Sequence, residues 1–140
     1  MGQYYKIINI TKKEYLTPWR FDDGAKLVEF GNSGKGTMLA LAALLSNGNG
    51  RGGGDIQSAN SLIGSWAGDK IVIGGDYADA DFLTKEQKKV VKKVSGSGDI
   101  NLYNALEIEE LGFIDISDKI IEVFKEAGES IRERDYKNIK

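Results

Sequence analysis

Residues 26–45 read KLVEFGNSGKGTMLALAALL, and three kinds of structure are written into them in succession. From Ala25 to Phe30, Leu27 and Glu29 alternate with Val28 and Phe30, the period of a half-buried strand. Gly31 to Gly36 is a glycine loop. Thr37 then stands where a helix cap is wanted, before a helix predicted over Met38–Leu45 and stopped by Ser46-Asn47-Gly48. That helix is apolar on every side, so it belongs inside the molecule.

Working outward, Tyr4–Ile10 reads as a first strand, and Lys12–Leu16 extends it or pairs with it. Thr17–Gly24, with Pro18 and Asp22-Asp23-Gly24, reads as a turn. Leu62–Trp66 and Lys70–Ile73 look like a hairpin closed by Ala67-Gly68-Asp69. Thr84 and Gln87 make a capping-box pattern for a helix to about Val94. A flexible break over Ser95–Asp99 follows, then a short helix in Asn101–Glu110 and an edge strand in Phe113–Ile116. Ser117 is placed to cap a helix through Ala127, with Ile120, Ile121, Phe124 and Ala127 on one face and Gly128 as its stop. Glu129–Lys140 is charged and extends the helix or frays. The order β-β-α-β-β-α-α-α predicts one α+β domain spanning 1–140. Its sheet is mainly antiparallel, with one buried apolar helix and C-terminal helices.

Composition narrows the chemistry. The 140 residues include no histidine and no cysteine. A thiolate nucleophile, a disulfide and a histidine-based triad are therefore impossible within the chain. The net charge of −2 makes no electrostatic case for nucleic acid or an anionic membrane. Met1–Lys6 holds no apolar signal segment, and the longest apolar run, Met38–Leu45, is far short of the roughly 20 residues that span a bilayer. The expected location is cytoplasmic. Glycine is the anomaly: 18 of them, eight between Gly31 and Gly54.

Four places can carry function. In the first loop, Gly31, Ser33, Gly34, Lys35, Gly36 and Thr37 bring together main-chain amides, a helix N-terminus and one cation. That chemistry cradles phosphate, although the spacing departs from the P-loop pattern. The plain alternative is a tight strand-to-helix turn. In the second loop, Gly48–Asp55, Arg51 sits among five glycines including Gly53. A guanidinium on such a loop suits closure over phosphate or carboxylate, against a surface loop of no function. Third, Asp76, Asp79 and Asp81, with Asp69 nearby, could hold Mg²⁺ or Ca²⁺, against ordinary turn and cap roles. Fourth, Lys85, Lys88, Lys89, Lys92 and Lys93 line one helix face, either for a polyanion or simply as the solvated side. Trp66 and Tyr77 are available for stacking on a ligand ring, as are Tyr4, Tyr5 and Trp19.

Met1-Gly2-Gln3-Tyr4-Tyr5-Lys6, Lys26–Met38, Asn47–Asp55 and Ser65–Asp79 together resemble a family of short uncharacterised proteins of bacterial and phage genomes. The likeness extends more loosely over Asn101–Ala127. It implies a phage- or mobile-element-associated accessory protein and assigns no catalytic residue. The leading expectation is a non-catalytic module that binds a phosphate-bearing small molecule in the Gly31–Thr37 loop under the Arg51 loop. In a phage setting this would be sequestration of a signalling nucleotide as counter-defence. The runner-up is a protein–protein interaction module that inhibits a host protein. The third reading is a metal-dependent hydrolase or nuclease using Asp55, Asp76, Asp79 and Asp81. A homo-oligomer, most commonly a twofold dimer, is compatible with each.

Overall fold

A computed structural model describes residues 2–96 and 100–135. β1 (Tyr5–Asn9) and β2 (Glu14–Leu16) form a hairpin, and β3 (Ile71–Gly75) pairs with the other side of β1. Both pairings are antiparallel. The fourth strand, β4 (Ile114–Asp115), runs parallel to β2, so the sheet is mixed, in the order β3-β1-β2-β4. Helices α1 (Leu27–Gly31) and α2 (Thr37–Leu45) separate β2 from β3. α3 (Lys85–Ser95) and α4 (Leu102–Ala105) precede β4, and α5 (Ser117–Glu126) follows it. The chain is an α+β protein. None of its described helices is long and apolar enough to cross a membrane.

Alternation along β1 explains the layering. Ile7 and Ile8 are both fully buried, yet adjacent strand residues point to opposite faces. Ile7 joins the main core with Leu16, Phe21, Phe30, Leu44, Trp66, Ile120 and Phe124. Ile8 faces a second core with Leu102 and Leu106. A satellite of Val91, Ala105 and Leu111 lies beside it. α5 presents Ile120, Ile121, Val123 and Phe124 to the main core; Ile120, Ile121 and Phe124 are the residues expected there, whereas Ala127 lies just past the helix and is half-buried. α2 buries Ala40, Leu41, Ala43 and Leu44, while Ala42 and Leu45 reach the surface.

Several local expectations are corrected. Ala25–Phe30 is not a strand: Leu27–Gly31 is helical, and only Phe30 of its residues is buried, Val28 being 79% exposed. Glu29 explains the outcome, because its carboxylate accepts a hydrogen bond from the Lys26 amide at 3.0 Å and closes the first turn. Leu62–Trp66 is not a strand either. Its Gly64 and Trp66 amides donate to the Ala43 and Leu44 carbonyls, both at 2.9 Å. The end of α2 offers carbonyls with no partner inside the helix, and this segment takes them. β3 therefore pairs with β1 and makes no local hairpin.

Ser117 does not cap its own helix. Its hydroxyl accepts from the Thr17 amide at 2.9 Å, and Asp115 takes the Ser117 amide. The Thr84–Gln87 capping box is present in both directions. The break expected over Ser95–Asp99 lies partly outside the described residues, as does the end of the charged segment. Residues 129–135 do not extend α5. They run back across the molecule, where the Arg132 and Arg134 amides donate to the Lys35 and Arg20 carbonyls.

Candidate functional site

The Gly31–Thr37 loop leads into the N-terminus of α2, as a phosphate cradle would require. Four unpaired amides and the helix dipole make that end attractive to an anion. The anion found there belongs to the chain itself. Asp23 reaches into the turn, and its Oδ2 accepts from the Thr37 amide at 2.8 Å and from the Thr37 hydroxyl at 2.6 Å. Thr37 is thus the first helical residue and a donor, while Gly36 occupies the cap position with no side chain to offer.

Arg132 closes the arrangement from the opposite end of the chain. Its guanidinium pairs with Asp23 Oδ1 and donates to the Gly34 and Asp22 carbonyls. Its amide donates to the Lys35 carbonyl at 2.6 Å. The loop is therefore bound at Gly34, Lys35 and Thr37 by two residues that the reading of the loop did not include. A side chain at Gly36 would put its Cβ 2.5 Å from Asp23 Oδ2 and 2.7 Å from Arg132 Nη2. Gly36 is glycine because the ion pair passes directly over its Cα. Burial pushes the Asp23 carboxyl up. The hydrogen bonds from Thr37, with that from Arg132, outweigh that and hold it below the usual carboxylate range.

The second loop follows the same principle. Gly50 and Arg51 turn their amides onto Asp55 Oδ2 at 3.0 and 2.8 Å. Asn49 braces the loop base by exchanging two hydrogen bonds with Ile56. All five glycines, Gly48, Gly50, Gly52, Gly53 and Gly54, have positive φ, so the loop's path itself demands them. Lys35 and Arg51 are exposed, and neither side chain makes an ion pair among the described residues.

Ser33 donates to the Phe30 carbonyl, and Gly31 faces open space. Trp66 is fully buried, with its indole donating to Glu14 Oε1 at 2.8 Å. It is a core residue and offers no stacking face. Tyr77 is 68% exposed.

The acidic residues Asp76, Asp79 and Asp81 do share a cleft of about 400 Å³, with Asn101 and Asn104 on its far wall. Two of the three carboxylates already have structural partners. Asp76 Oδ1 accepts from the Tyr4 amide at 2.9 Å. Asp81 accepts from the Leu83 amide and lies 3.5 Å from the Lys88 ammonium. Asp69, outside the cleft, binds Asn9 and Lys12. Among the described residues no three acidic side chains converge as a metal site would need. The lysine face of α3 is solvent-exposed.

Asp23 and Arg132 are the residues that sequence reasoning missed. A signal existed: a helix beginning Gly36-Thr37 inside the protein needs an acceptor, and Asp22-Asp23 is the acidic pair nearest before it. Nothing local pointed to Arg132.

Another feature that faces outward is the edge of the sheet. β3 is an end strand, and exposed Tyr4, Ile73, Tyr77 and Phe82 adjoin it. Tyr4 sits there because its main chain pairs with Asp76, and Phe82 because its ring lies 5.4 Å from the Lys70 ammonium. Comparison with known proteins found no matching family model, no matching curated protein and no matching solved structure.

Proposed function

We propose that the chain is a non-catalytic interaction module that engages an extended polypeptide along β3. The observation that carries this reading is the contrast between its two kinds of polar surface. The Thr37 amide at α2, and the Gly50 and Arg51 amides of the second loop, are bonded to the chain's own carboxylates. The outward main-chain groups of Ile71 and Ile73 in β3 are bonded to nothing among the described residues, while the Gly75 carbonyl accepts from the Ala78 amide at 3.2 Å. An unpaired strand edge flanked by exposed apolar side chains is the surface that β-augmentation uses. The phage- or mobile-element setting implied by the sequence resemblance suits an accessory protein whose target is a polypeptide.

A second reading, binding of a nucleotide-like anion, keeps one observation in its favour: Lys35 and Arg51 are exposed cations. A ligand phosphate would have to displace Asp23 or Asp55 to reach the loop amides. Two measurements separate the readings. A pull-down comparing wild type with Ile73→Pro should retain a stoichiometric polypeptide on the wild type alone. A thermal-shift panel of nucleotides should leave the melting temperature unchanged. Stabilisation by a nucleotide that disappears in Arg51→Ala, with no polypeptide lost on Ile73→Pro, would replace the first reading by the second.

A further inference from the structure

We infer that the strand which adds to β3 is β3 of a second copy of this chain, related by a twofold axis at Ile73. The inference rests on the interaction reading above and names its partner.

The alternation of main-chain direction comes first. The Ile10 amide donates to the Lys70 carbonyl, and the Asp76 amide donates to the Tyr4 carbonyl. Antiparallel ladders alternate strictly, so the even-numbered residues from Lys70 to Asp76 turn their main chain towards β1. Ile71, Ile73 and Gly75 turn theirs outward. No hydrogen bond among the described residues takes the main-chain groups of Ile71 or Ile73 on that side. The other edge of the sheet, β4, is only two residues long.

Edge strands of monomeric proteins are usually guarded by lysine, proline or a bulge. β3 reads Ile-Val-Ile-Gly-Gly and carries no such guard. Its charges lie just beyond its ends, Lys70 before and Asp76 after, placed symmetrically about Ile73.

That symmetry selects the partner. In a twofold antiparallel pairing centred on Ile73, Ile71 faces Gly75 of the other copy, Val72 faces Gly74, and Lys70 faces Asp76. The bulky half of each strand meets the bare half of its partner. Two opposite-charge pairs form at non-hydrogen-bonded positions, where facing Cα atoms approach to about 4.5 Å. About four main-chain hydrogen bonds close the pairing, two between the Ile73 residues and two from the Gly75 amides to the Ile71 carbonyls, the Gly75 carbonyl being held by the Ala78 amide. Slipping the register by two residues in either direction sets Lys70 against Gly74 or Ala78 and loses both charge pairs. The exposed Ile73, Tyr77 and Phe82 side chains supply the apolar area at the rim.

Sedimentation velocity and light scattering over about 1–200 µM test this, with the full chain and three variants. The wild type is expected to be a dimer. Ile73→Pro should be monomeric with an unchanged circular-dichroism spectrum, because the N–H it removes faces away from β1. Lys70→Glu sets like charges opposite one another twice and should raise the dimer dissociation constant roughly tenfold. Adding Asp76→Lys restores both opposite-charge pairs and should recover most of that loss, although it removes the acceptor of the Tyr4 amide. Should Ile73→Pro fail to fold, the two charge variants decide alone. A wild type that is monomeric throughout, or a dimer indifferent to both charge variants, overturns the inference. If that monomer still binds an unrelated extended polypeptide, and Ile73→Pro abolishes the binding, the interaction reading survives without the second copy. If no binding of any kind responds to Ile73→Pro, both fall.

Discussion

The Arg132 guanidinium closes over the Asp23 carboxylate across 109 residues of chain, and through it the last described segment is tied to the first turn of α2. The Asp23 side chain is 1% exposed and that of Arg132 39%. The carboxylate is thus the buried partner, and its loss should cost more than loss of the cation. Asp23→Ala leaves the Thr37 amide and hydroxyl without their acceptor and the guanidinium without its counter-charge, and should lower stability by about 2–4 kcal/mol. Arg132→Ala, with water able to reach the remaining carboxylate, should lower it by about 1–2 kcal/mol. Urea unfolding of both variants checks the ranking, and a larger loss for Arg132→Ala would contradict it.

Gly36→Ala should be destabilising by about 1–3 kcal/mol, because its methyl enters the space between Asp23 and Arg132. The close approaches that the methyl would make are to Asp23 and Arg132. A double-mutant cycle with Arg132→Ala isolates the part of the cost that comes from the guanidinium. The methyl should cost less once the guanidinium is gone, and strict additivity would argue that the crowding is not at the ion pair.

Acid stability follows from the same carboxylate. The folded-state pKa of Asp23 is lowered, so its contribution is complete above the unfolded value near 3.9 and is lost as pH falls through the folded value. Asp69, lowered by its hydrogen bonds from Asn9 and Lys12, acts in the same direction. Lys125 is raised by the Glu133 carboxylate; its contribution is present below the unfolded value near 10.4 and is lost as pH rises above it. With no histidine or cysteine in the chain, stability should be flat between about pH 5.5 and 8.5 and fall below about pH 4. Chemical denaturation across that range tests the shape, and in Asp23→Asn the acid limb should be shallower.

Trp66 is fully buried in the main core, whereas Trp19 is 42% exposed. Trp66→Ala should remove about 3–5 kcal/mol, the usual cost of emptying a large buried aromatic site. Glu14→Gln retains an acceptor for the indole N–H and should change stability by less than about 1 kcal/mol. Fluorescence of Trp19→Phe, which leaves Trp66 as the only tryptophan, should be blue-shifted and resistant to acrylamide. A red-shifted, readily quenched spectrum would place Trp66 at the surface instead.

Much of this protein could be read from its residues in order. Strand β1, the Thr84–Gln87 cap of α3, the apolar α2 and the amphipathic α5 each depend on neighbours within a few positions, where periodicity and capping act directly. The two glycine loops are expected from sequence to bind an external phosphate, whereas their Thr37, Gly50 and Arg51 amides are bonded to the chain's own Asp23 and Asp55. Where two local patterns competed, the reading went astray. Residues 27–31 alternate like a strand, but Glu29 closes a helical turn. Residues 62–66 look like half of a hairpin, but the spare carbonyls of α2 bind them. What tertiary structure alone decided is which anion fills each loop, and which polar edge is left unpaired. Asp55 lies within its own loop, whereas Asp23 stands 14 positions from Thr37 and Arg132 a further 95. A helix end in a protein interior takes the nearest acceptor in space, and nearness in space is settled only when the whole chain has packed.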